Sequence, residues 1–143
     1  MEIKKIEYSE LESLNIYEIS KEETLYSFDG LKDLLISKYA FCVGVYDKEL
    51  IGYAIFSFTD TYSTDLIYIF IKKNYRNQGI GTKLLVSSIY MLRQKNVHEI
   101  FLEVSRSNLV AINLYTALGF ELIFTRKKYY RDDSDALIMK LQI

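Results

Sequence analysis

A short glycine-containing segment is the part of the chain where residue types and spacing point most directly to chemistry. Residues 76–81 read Arg-Asn-Gln-Gly-Ile-Gly, between an apolar run that predicts a strand and an amphipathic run that predicts a helix. The first N–H groups of a helix have no intrahelical partner, and the helix dipole favours an anion there. Glycine allows a ligand to approach the backbone closely. The segment therefore predicts a phosphate-binding turn.

Two well-known phosphate-binding motifs do not describe this turn. One glycine of the dinucleotide pattern G-x-G-x-x-G is missing, and no G-K-[ST] follows as in a Walker loop. Taken alone, the six residues could equally form a helix start that serves only packing. Lys72 and Lys73 lie just before the turn, and their positions favour a solvated surface over a binding role.

A second group of polar residues lies where the next predicted strand passes into a helix. Glu103 is near the end of that strand, Asn108 begins the helix, and Tyr115 lies two turns further along on the same helical face. The opposite face is the predicted core side, and it carries Val110, Leu114, Ala117 and Leu118. From the residues alone, Asn108 could be a helix cap, Tyr115 a surface aromatic, and Glu103 an exposed strand residue.

Length, charge and composition limit the classes of function. The chain has 143 residues, the size of one domain spanning 1–143, and a net charge of −1, which favours neither nucleic acid nor an anionic membrane as a partner. No run approaches the ~18 apolar residues of a membrane span, and the N-terminus lacks a signal-peptide core. One cysteine and one histidine give no metal-binding cluster. A cytoplasmic protein without a metal is expected.

The elements around the candidate residues alternate between strands and helices. We predict strands at 1–8, 40–46, 50–58, 65–71, 99–104, 120–126 and 136–141, and helices within 9–37, at 81–95 and at 108–118, with a break at Asp29-Gly30. This order predicts a mixed α/β fold, mostly antiparallel, with one parallel strand–helix–strand unit. Ligands in such sheets favour the carboxyl ends of the parallel strands, here near Ile71 and Val104.

Three segments together resemble a known family. The pattern [QR]-x-x-G-x-[GA] at a strand-to-helix turn resembles the acetyl-CoA signature of the GNAT superfamily of N-acetyltransferases. Residues 102–120 fit L-E-V-x-x-S-N-x-x-A-[IL]-x-L-Y-x-x-L-G-F, which is similar to the bacterial ribosomal-protein-alanine N-acetyltransferase branch. The segments R-x-x-Y-Y at 126–130 and D-A-[IL]-x-M at 135–139 extend that similarity. The branch's F-P-W-[ST] segment has no counterpart, since the chain contains no Pro and no Trp.

The resemblance implies a single GNAT-like domain with helices on both faces of the sheet, and acetyl-CoA as cosubstrate. It implies that backbone groups of Ile69, Phe70 and Ile71 bind the pantetheine arm. It implies that the pyrophosphate is bound by the backbone amides of the turn residues Asn77, Gln78, Gly79, Ile80, Gly81 and Thr82. Arg76 lies nearby as a further cationic group for the phosphates. By the same resemblance, Glu103 is the general base, Tyr115 the general acid, and Asn108 a cofactor contact.

The implied reaction is direct acetyl transfer to the N-terminal α-amine of a protein or peptide, with a ribosomal protein as a candidate acceptor. Two alternatives stay open, because the cofactor motifs are shared across the family. One is acetylation of a small amine such as a polyamine or an amino sugar. The other is a non-catalytic acyl-CoA-binding module. The sequence predicts neither the natural acceptor nor the oligomeric state.

Overall fold

A computed structural model describes residues 1–7 and 16–143, which form a seven-stranded sheet flanked by helices. The strands are β1 (Glu2–Lys5), β2 (Ala40–Asp47), β3 (Glu49–Phe58), β4 (Ser63–Ile71), β5 (Glu99–Ser105), β6 (Glu121–Arg126) and β7 (Ala136–Gln142). The helices are α1 (Ile16–Ser20), α2 (Phe28–Ile36), α3 (Ile80–Gln94) and α4 (Leu109–Ala117), with a 3₁₀ turn at Lys73–Tyr75.

The sheet has the predicted mixture of strand directions. Its order is β1-β2-β3-β4-β5-β7-β6. Every neighbouring pair is antiparallel except β4 and β5, which are parallel and joined through α3. This arrangement confirms the predicted α/β class with one parallel strand–helix–strand unit.

Two apolar cores lie on opposite faces of the sheet. Helices α3 and α4 cover one face, where Leu84 and Leu92 of α3 are fully buried. Helices α1 and α2 cover the other, where Leu31 packs in a cluster with Tyr53 and Phe70. The prediction of helices on both faces is confirmed.

Helix α3 is the element that carries the predicted phosphate turn at its start. Its 15 residues correspond to about 22 Å along the axis. Its buried residues Ile80, Leu84, Leu85, Ser88 and Leu92 repeat at helical spacing and face the sheet. None of the helices within 1–7 and 16–143 is long and apolar enough to cross a bilayer.

The predicted break at Asp29-Gly30 is wrong, because both residues lie in the first turn of α2. The Ser27 side chain caps this helix by accepting a hydrogen bond from the Gly30 N–H at 3.0 Å. A cap of this kind satisfies a donor that the helix itself leaves unpaired. The predicted start of the first helical region and the predicted end of the first strand lie at 8–15, outside the described residues.

The predicted core face of α4 is only half correct. Leu114 and Leu118 pack against the core, but Val110 is 81% exposed and Ala117 is also exposed. Tyr115, expected on the other face, is buried with only 7% of its surface exposed. Apolar residues lie on all sides of α4, so helical periodicity gives little contrast from which to choose the buried face.

Candidate active site

Strands β4 and β5 pair at one end and separate at the other. Their parallel register ends at the pair Leu66↔Leu102, although β4 continues to Ile71 and β5 to Ser105. A bulge at Ile67 shifts the register of β4 against β3, which bends the strand locally. The β5-facing edge of β4 beyond Leu66 therefore has no strand beside it, and its backbone groups face a gap.

The predicted pantetheine residues lie on this open stretch. Ile69, Phe70 and Ile71 all belong to the part of β4 that β5 does not pair with. An unpaired strand edge offers a row of alternating N–H and C=O groups to an extended ligand. The gap thus has the chemistry of a slot for a chain containing amide groups.

The turn before α3 presents backbone N–H groups at the start of the helix. Gly79 is the N-cap in the left-handed conformation, with φ 76°, and it provides no capping side chain. A Cβ on Gly79 would meet nothing within 4 Å, so glycine is needed here for its backbone conformation and not for space. Asn77 is also left-handed, with φ 61°. The amides of 80–82 belong to the first turn of the helix, where intrahelical partners are lacking.

Arg76 binds to groups within the protein. Its Nε donates to the Ile71 carbonyl oxygen at 2.8 Å, and its guanidinium lies 5.5 Å from the centroid of the Phe70 ring. A terminal nitrogen forms an ion pair with Glu23, in the segment between α1 and α2. Arg76 therefore links the end of β4 to that segment, and its role as a phosphate ligand stays a prediction.

Asn108 is the N-cap of α4. Its Oδ1 accepts a hydrogen bond from the Ala111 N–H at 3.2 Å. The side chain is exposed, and its amide nitrogen donates to no residue within the described ranges. The structure thus confirms the capping role, and the role of Asn108 as a cofactor contact stays a prediction.

Tyr115 lies near the end of α4 and packs into the core that α3 and α4 cover. Its ring centroid is 5.7 Å from that of Phe120. Burial raises the pKa of the Tyr115 phenol to about 12, so the hydroxyl is protonated at neutral pH. No residue in 1–7 or 16–143 forms a hydrogen bond with this hydroxyl. The structure thus excludes the simple surface position that the residue type alone allowed.

A groove of about 890 Å³ opens beside Glu103, on the face of the sheet opposite to helices α3 and α4. Its walls come from three separate parts of the chain: the segment between α1 and α2, strands β4 and β5, and the β6–β7 hairpin. Besides Glu103, the polar and aromatic side chains in its wall belong to Glu23, Tyr26, Asp65, Tyr68, Phe101, Arg126 and Tyr130. The groove brings together residues that the sequence order keeps far apart.

Glu103 faces this groove with 35% of its side chain exposed. The Tyr130 hydroxyl donates to Glu103 Oε1 at 2.9 Å. Arg126 Nη1 lies 3.9 Å from Glu103 Oε2. Both contacts come from the β6–β7 hairpin, so the carboxylate is held from that side.

Asp65 is a groove residue that the sequence reasoning missed. It lies on β4, opposite Phe101 of β5 in the parallel register. Burial raises the pKa of its carboxyl group, and the described part of the chain gives it no hydrogen-bond partner. An acidic residue at the start of an otherwise apolar strand was the available signal for it.

The two predicted catalytic residues lie on different faces of the sheet. Leu102 and Val104 pack in the core beneath α3 and α4, so Glu103 between them points to the other face. Tyr115 belongs to the α3–α4 core. Glu103 and Tyr115 do not contact each other, and the gap between β4 and β5 lies between the two faces that carry them.

The open end of β4 and the turn before α3 are the segments to which the family resemblance assigned the cofactor contacts. The chain belongs to the acetyltransferase (GNAT) family, whose model matches residues 6–120. It is therefore an acetyltransferase, of a family that uses acetyl-CoA.

Relatives and solved structures agree with this assignment. An N-alpha-acetyltransferase of Sulfurisphaera tokodaii is 37% identical over 112 residues, which cover 70% of this chain and 67% of the relative. The ribosomal protein bS18-alanine N-acetyltransferase of Haemophilus influenzae is 34% identical over 130 residues, 90% of this chain and 86% of the relative. The crystal structure of the Escherichia coli ribosomal-protein-S18-alanine N-acetyltransferase matches with a TM-score of 0.87 and 28% identity, over 99% of this chain and 93% of that one.

Proposed function

We propose that this chain transfers the acetyl group of acetyl-CoA to the N-terminal α-amine of a protein or peptide, with a ribosomal protein as a candidate acceptor. The observation that carries the proposal is the groove beside Glu103. It is large enough for the first residues of a polypeptide, and its walls on either side are chain segments that an extended peptide would contact. The names of the related proteins support the same class of acceptor.

Acetyl-CoA fits the backbone groups on the other side of the gap. The unpaired edge of β4 would bind the amides of the pantetheine arm through Ile69, Phe70 and Ile71. The N–H groups of residues 77–82 would bind the pyrophosphate. Amides without an intrahelical partner favour an anion, and so does the helix dipole at the start of α3. The Asn108 amide would add a contact at the start of α4. When bound, acetyl-CoA supplies the acetyl group as an activated thioester.

Glu103 would act on the acceptor amine. An α-amine with a pKa of about 7.7–8.0 is roughly a tenth to a sixth neutral at pH 7, whereas a lysine with a pKa of about 10.4 is neutral less than about once in two thousand. An α-amine therefore needs much less assistance from a general base than a lysine does. A carboxylate in the groove would remove its proton directly or through a water.

Tyr115 would act on the departing sulfur. As the new N–C bond forms and the C–S bond breaks, the amine proton passes to Glu103 and the Tyr115 hydroxyl donates its proton to the sulfur. The parent thiol has a pKa of about 8.5, so the thiolate is a moderate leaving group. Burial keeps the Tyr115 phenol protonated and available for this transfer.

The proposal is tested by measuring acetyl-CoA consumption against a panel of amines. The panel contains peptides with free Ala, Ser or Met N-termini, the same peptides with blocked N-termini, polyamines and an amino sugar. We expect turnover only with free N-terminal peptides. Turnover confined to the small amines would overturn the proposed acceptor. Acetyl-CoA binding by calorimetry without turnover on any amine would favour a non-catalytic module.

A further inference from the structure

We infer that Tyr130 is a positioning residue for Glu103, holding the carboxylate in the orientation that receives the amine proton. The inference rests on the proposed function and names a residue whose hydroxyl acts through Glu103 and not on the acceptor. It is carried by the hydrogen bond from Tyr130 to Glu103 Oε1, at 2.9 Å.

Glu103 needs such a contact because of its place on β5. The pairing with β4 ends at Leu102, so no strand lies beside Glu103 on the gap side. On its other side, Glu103 is opposite Ile138 of β7 in the antiparallel register. An unrestrained glutamate samples several rotamers, whereas general-base catalysis needs the oxygen within hydrogen-bond reach of the proton. Within the described part of the chain, the polar contacts of the Glu103 carboxylate come from the hairpin side.

Tyr130 is suited to be a permanent donor. Burial, and after it the hydrogen bond to Glu103, raise the pKa of its phenol to about 12. The hydroxyl therefore keeps its proton throughout the pH range of the reaction and donates to the carboxylate. A phenol also donates without adding charge, so Glu103 keeps its own charge for the amine.

The loop that carries Tyr130 is bound to the end of β5. Asp135 Oδ1 accepts from the Lys128 N–H at 3.0 Å, and Asp135 Oδ2 accepts from Arg106 Nε at 3.1 Å. The hydroxyl groups of Ser105 and Ser134 are 2.8 Å apart. The contact between Lys128 and Asp135 closes the loop, and Ser134 and Asp135 bind it to Ser105 and Arg106, two and three positions after Glu103. Together they hold the loop that carries Tyr130 close to the carboxylate it binds.

The experiment compares Tyr130→Phe with Tyr129→Phe in steady-state kinetics on a free N-terminal peptide. Each variant keeps its ring and loses one hydroxyl, and the Tyr129 hydroxyl has no hydrogen-bond partner in the described part of the chain. We expect kcat of Tyr130→Phe to fall about 10-fold, as for loss of a hydrogen bond to a charged group, with KM for both substrates within about two-fold. Tyr129→Phe should behave as the wild type.

Two outcomes would overturn the inference. A rise in peptide KM at unchanged kcat would make Tyr130 an acceptor contact. Wild-type kinetics in Tyr130→Phe, with an active wild-type protein, would remove any role of its hydroxyl. A wild-type protein that acetylates no peptide would instead overturn the proposed function, and the inference with it.

A measurement independent of activity tests the contact itself. With ¹³C-labelled tyrosine rings, the Tyr130 resonance should titrate at lower pH in Glu103→Gln than in the wild type, because the carboxylate raises the pKa of this phenol. The other tyrosine resonances should titrate alike in both proteins. Identical Tyr130 titrations would show that the hydrogen bond is absent in solution and would overturn the inference.

Discussion

The acetyl-CoA side and the acceptor side of the proposed site are built from different kinds of groups. On the acetyl-CoA side, the open edge of β4 and the turn at 77–82 belong to one continuous strand–turn–helix unit and offer backbone N–H and C=O groups. On the acceptor side, Glu23, Glu103 and Arg126 come from three distant segments and offer side chains. A backbone site follows from the path of the chain, whereas a side-chain site changes with every substitution.

Because of this difference, one fold can keep its cosubstrate while changing its acceptor. Substitutions in the groove alter the groups that meet the amine but leave the backbone of β4 and of the turn in place. Substitutions that change backbone conformation at the turn should alter acetyl-CoA binding and leave the groups that meet the amine in place. Acetyl-CoA affinity and turnover on the acceptor can be measured separately for each variant. We expect a substitution on one side of the site to change mainly the quantity that belongs to that side.

The largest effect is expected from Glu103→Gln. We expect kcat/KM for a free N-terminal peptide at pH 7 to fall about 100- to 1,000-fold, the usual range for loss of a general base. The remaining rate should rise with pH, because an α-amine loses its proton to solvent near its pKa of about 8. Calorimetry should give an unchanged Kd for acetyl-CoA.

The matched control for that change is Glu121→Gln, an exposed glutamate on β6 outside the groove. It should keep wild-type turnover and the wild-type pH profile. If the profile of Glu103→Gln coincides with that of the wild type, another group or solvent is the base.

Tyr115→Phe should reduce kcat about 10- to 100-fold, because the sulfur would leave without a proton from the enzyme. Acetyl-CoA affinity and the free energy of unfolding should change little, since the ring that packs against Phe120 remains. The donating form is the neutral phenol, which exists below its raised pKa of about 12. Wild-type kcat, followed from pH 6 to 10, should therefore show no alkaline loss from Tyr115. Unchanged kcat in Tyr115→Phe would contradict the acid role.

The strand, turn and helix start on the proposed acetyl-CoA side could be predicted from sequence because the information for them is local. A strand, a glycine that must adopt a positive φ, and a helix start lie within about twenty consecutive residues, and the backbone follows from them. The separation of β4 from β5 was not derivable in this way. It depends on a bulge at Ile67 and on where the parallel register stops, and both result from pairing across the sheet.

The acceptor side could not be predicted to the same extent because its contacts are long-range. Tyr130 and Glu103 are 27 positions apart, and their hydrogen bond exists only because β7 pairs with both β5 and β6. The buried face of α4 was hidden for a different reason. Apolar residues lie all around this helix, which allowed Val110 to be assigned to the core, where the structure places Tyr115 instead.

Gly79→Ala tests the acetyl-CoA side through the backbone. A non-glycine residue in the left-handed region costs about 1–2 kcal/mol, and relaxation of the turn would misalign its amides. We expect the Kd for acetyl-CoA to rise about 5- to 10-fold, which corresponds to about 1 kcal/mol or slightly more. Turnover at saturating acetyl-CoA should be nearly unchanged.

Gly81→Ala is the matched control for that variant. A Cβ at Gly81 would lie 3.7 Å from Leu114 Cδ2, an ordinary contact, and alanine favours the helix by up to about 1 kcal/mol. It should bind acetyl-CoA within about two-fold of the wild type and unfold at a slightly higher temperature. Equal losses of affinity in the two variants would mean that crowding at the turn, and not the φ of Gly79, decides binding.

The smallest effect is expected where the two sides meet, at the ion pair between Arg76 and Glu23. Glu23 lines the groove and Arg76 belongs to the turn, so Glu23→Gln removes a negative charge near the proposed pyrophosphate site and releases the guanidinium. We expect acetyl-CoA to bind about two- to three-fold more tightly in this variant, consistent with the small energies of exposed ion pairs. The gain should shrink as salt is raised from 0.02 to 0.5 M, because exposed charges are screened. Weaker binding would instead mean that the ion pair holds the turn in its binding conformation, which would make the two sides one coupled unit.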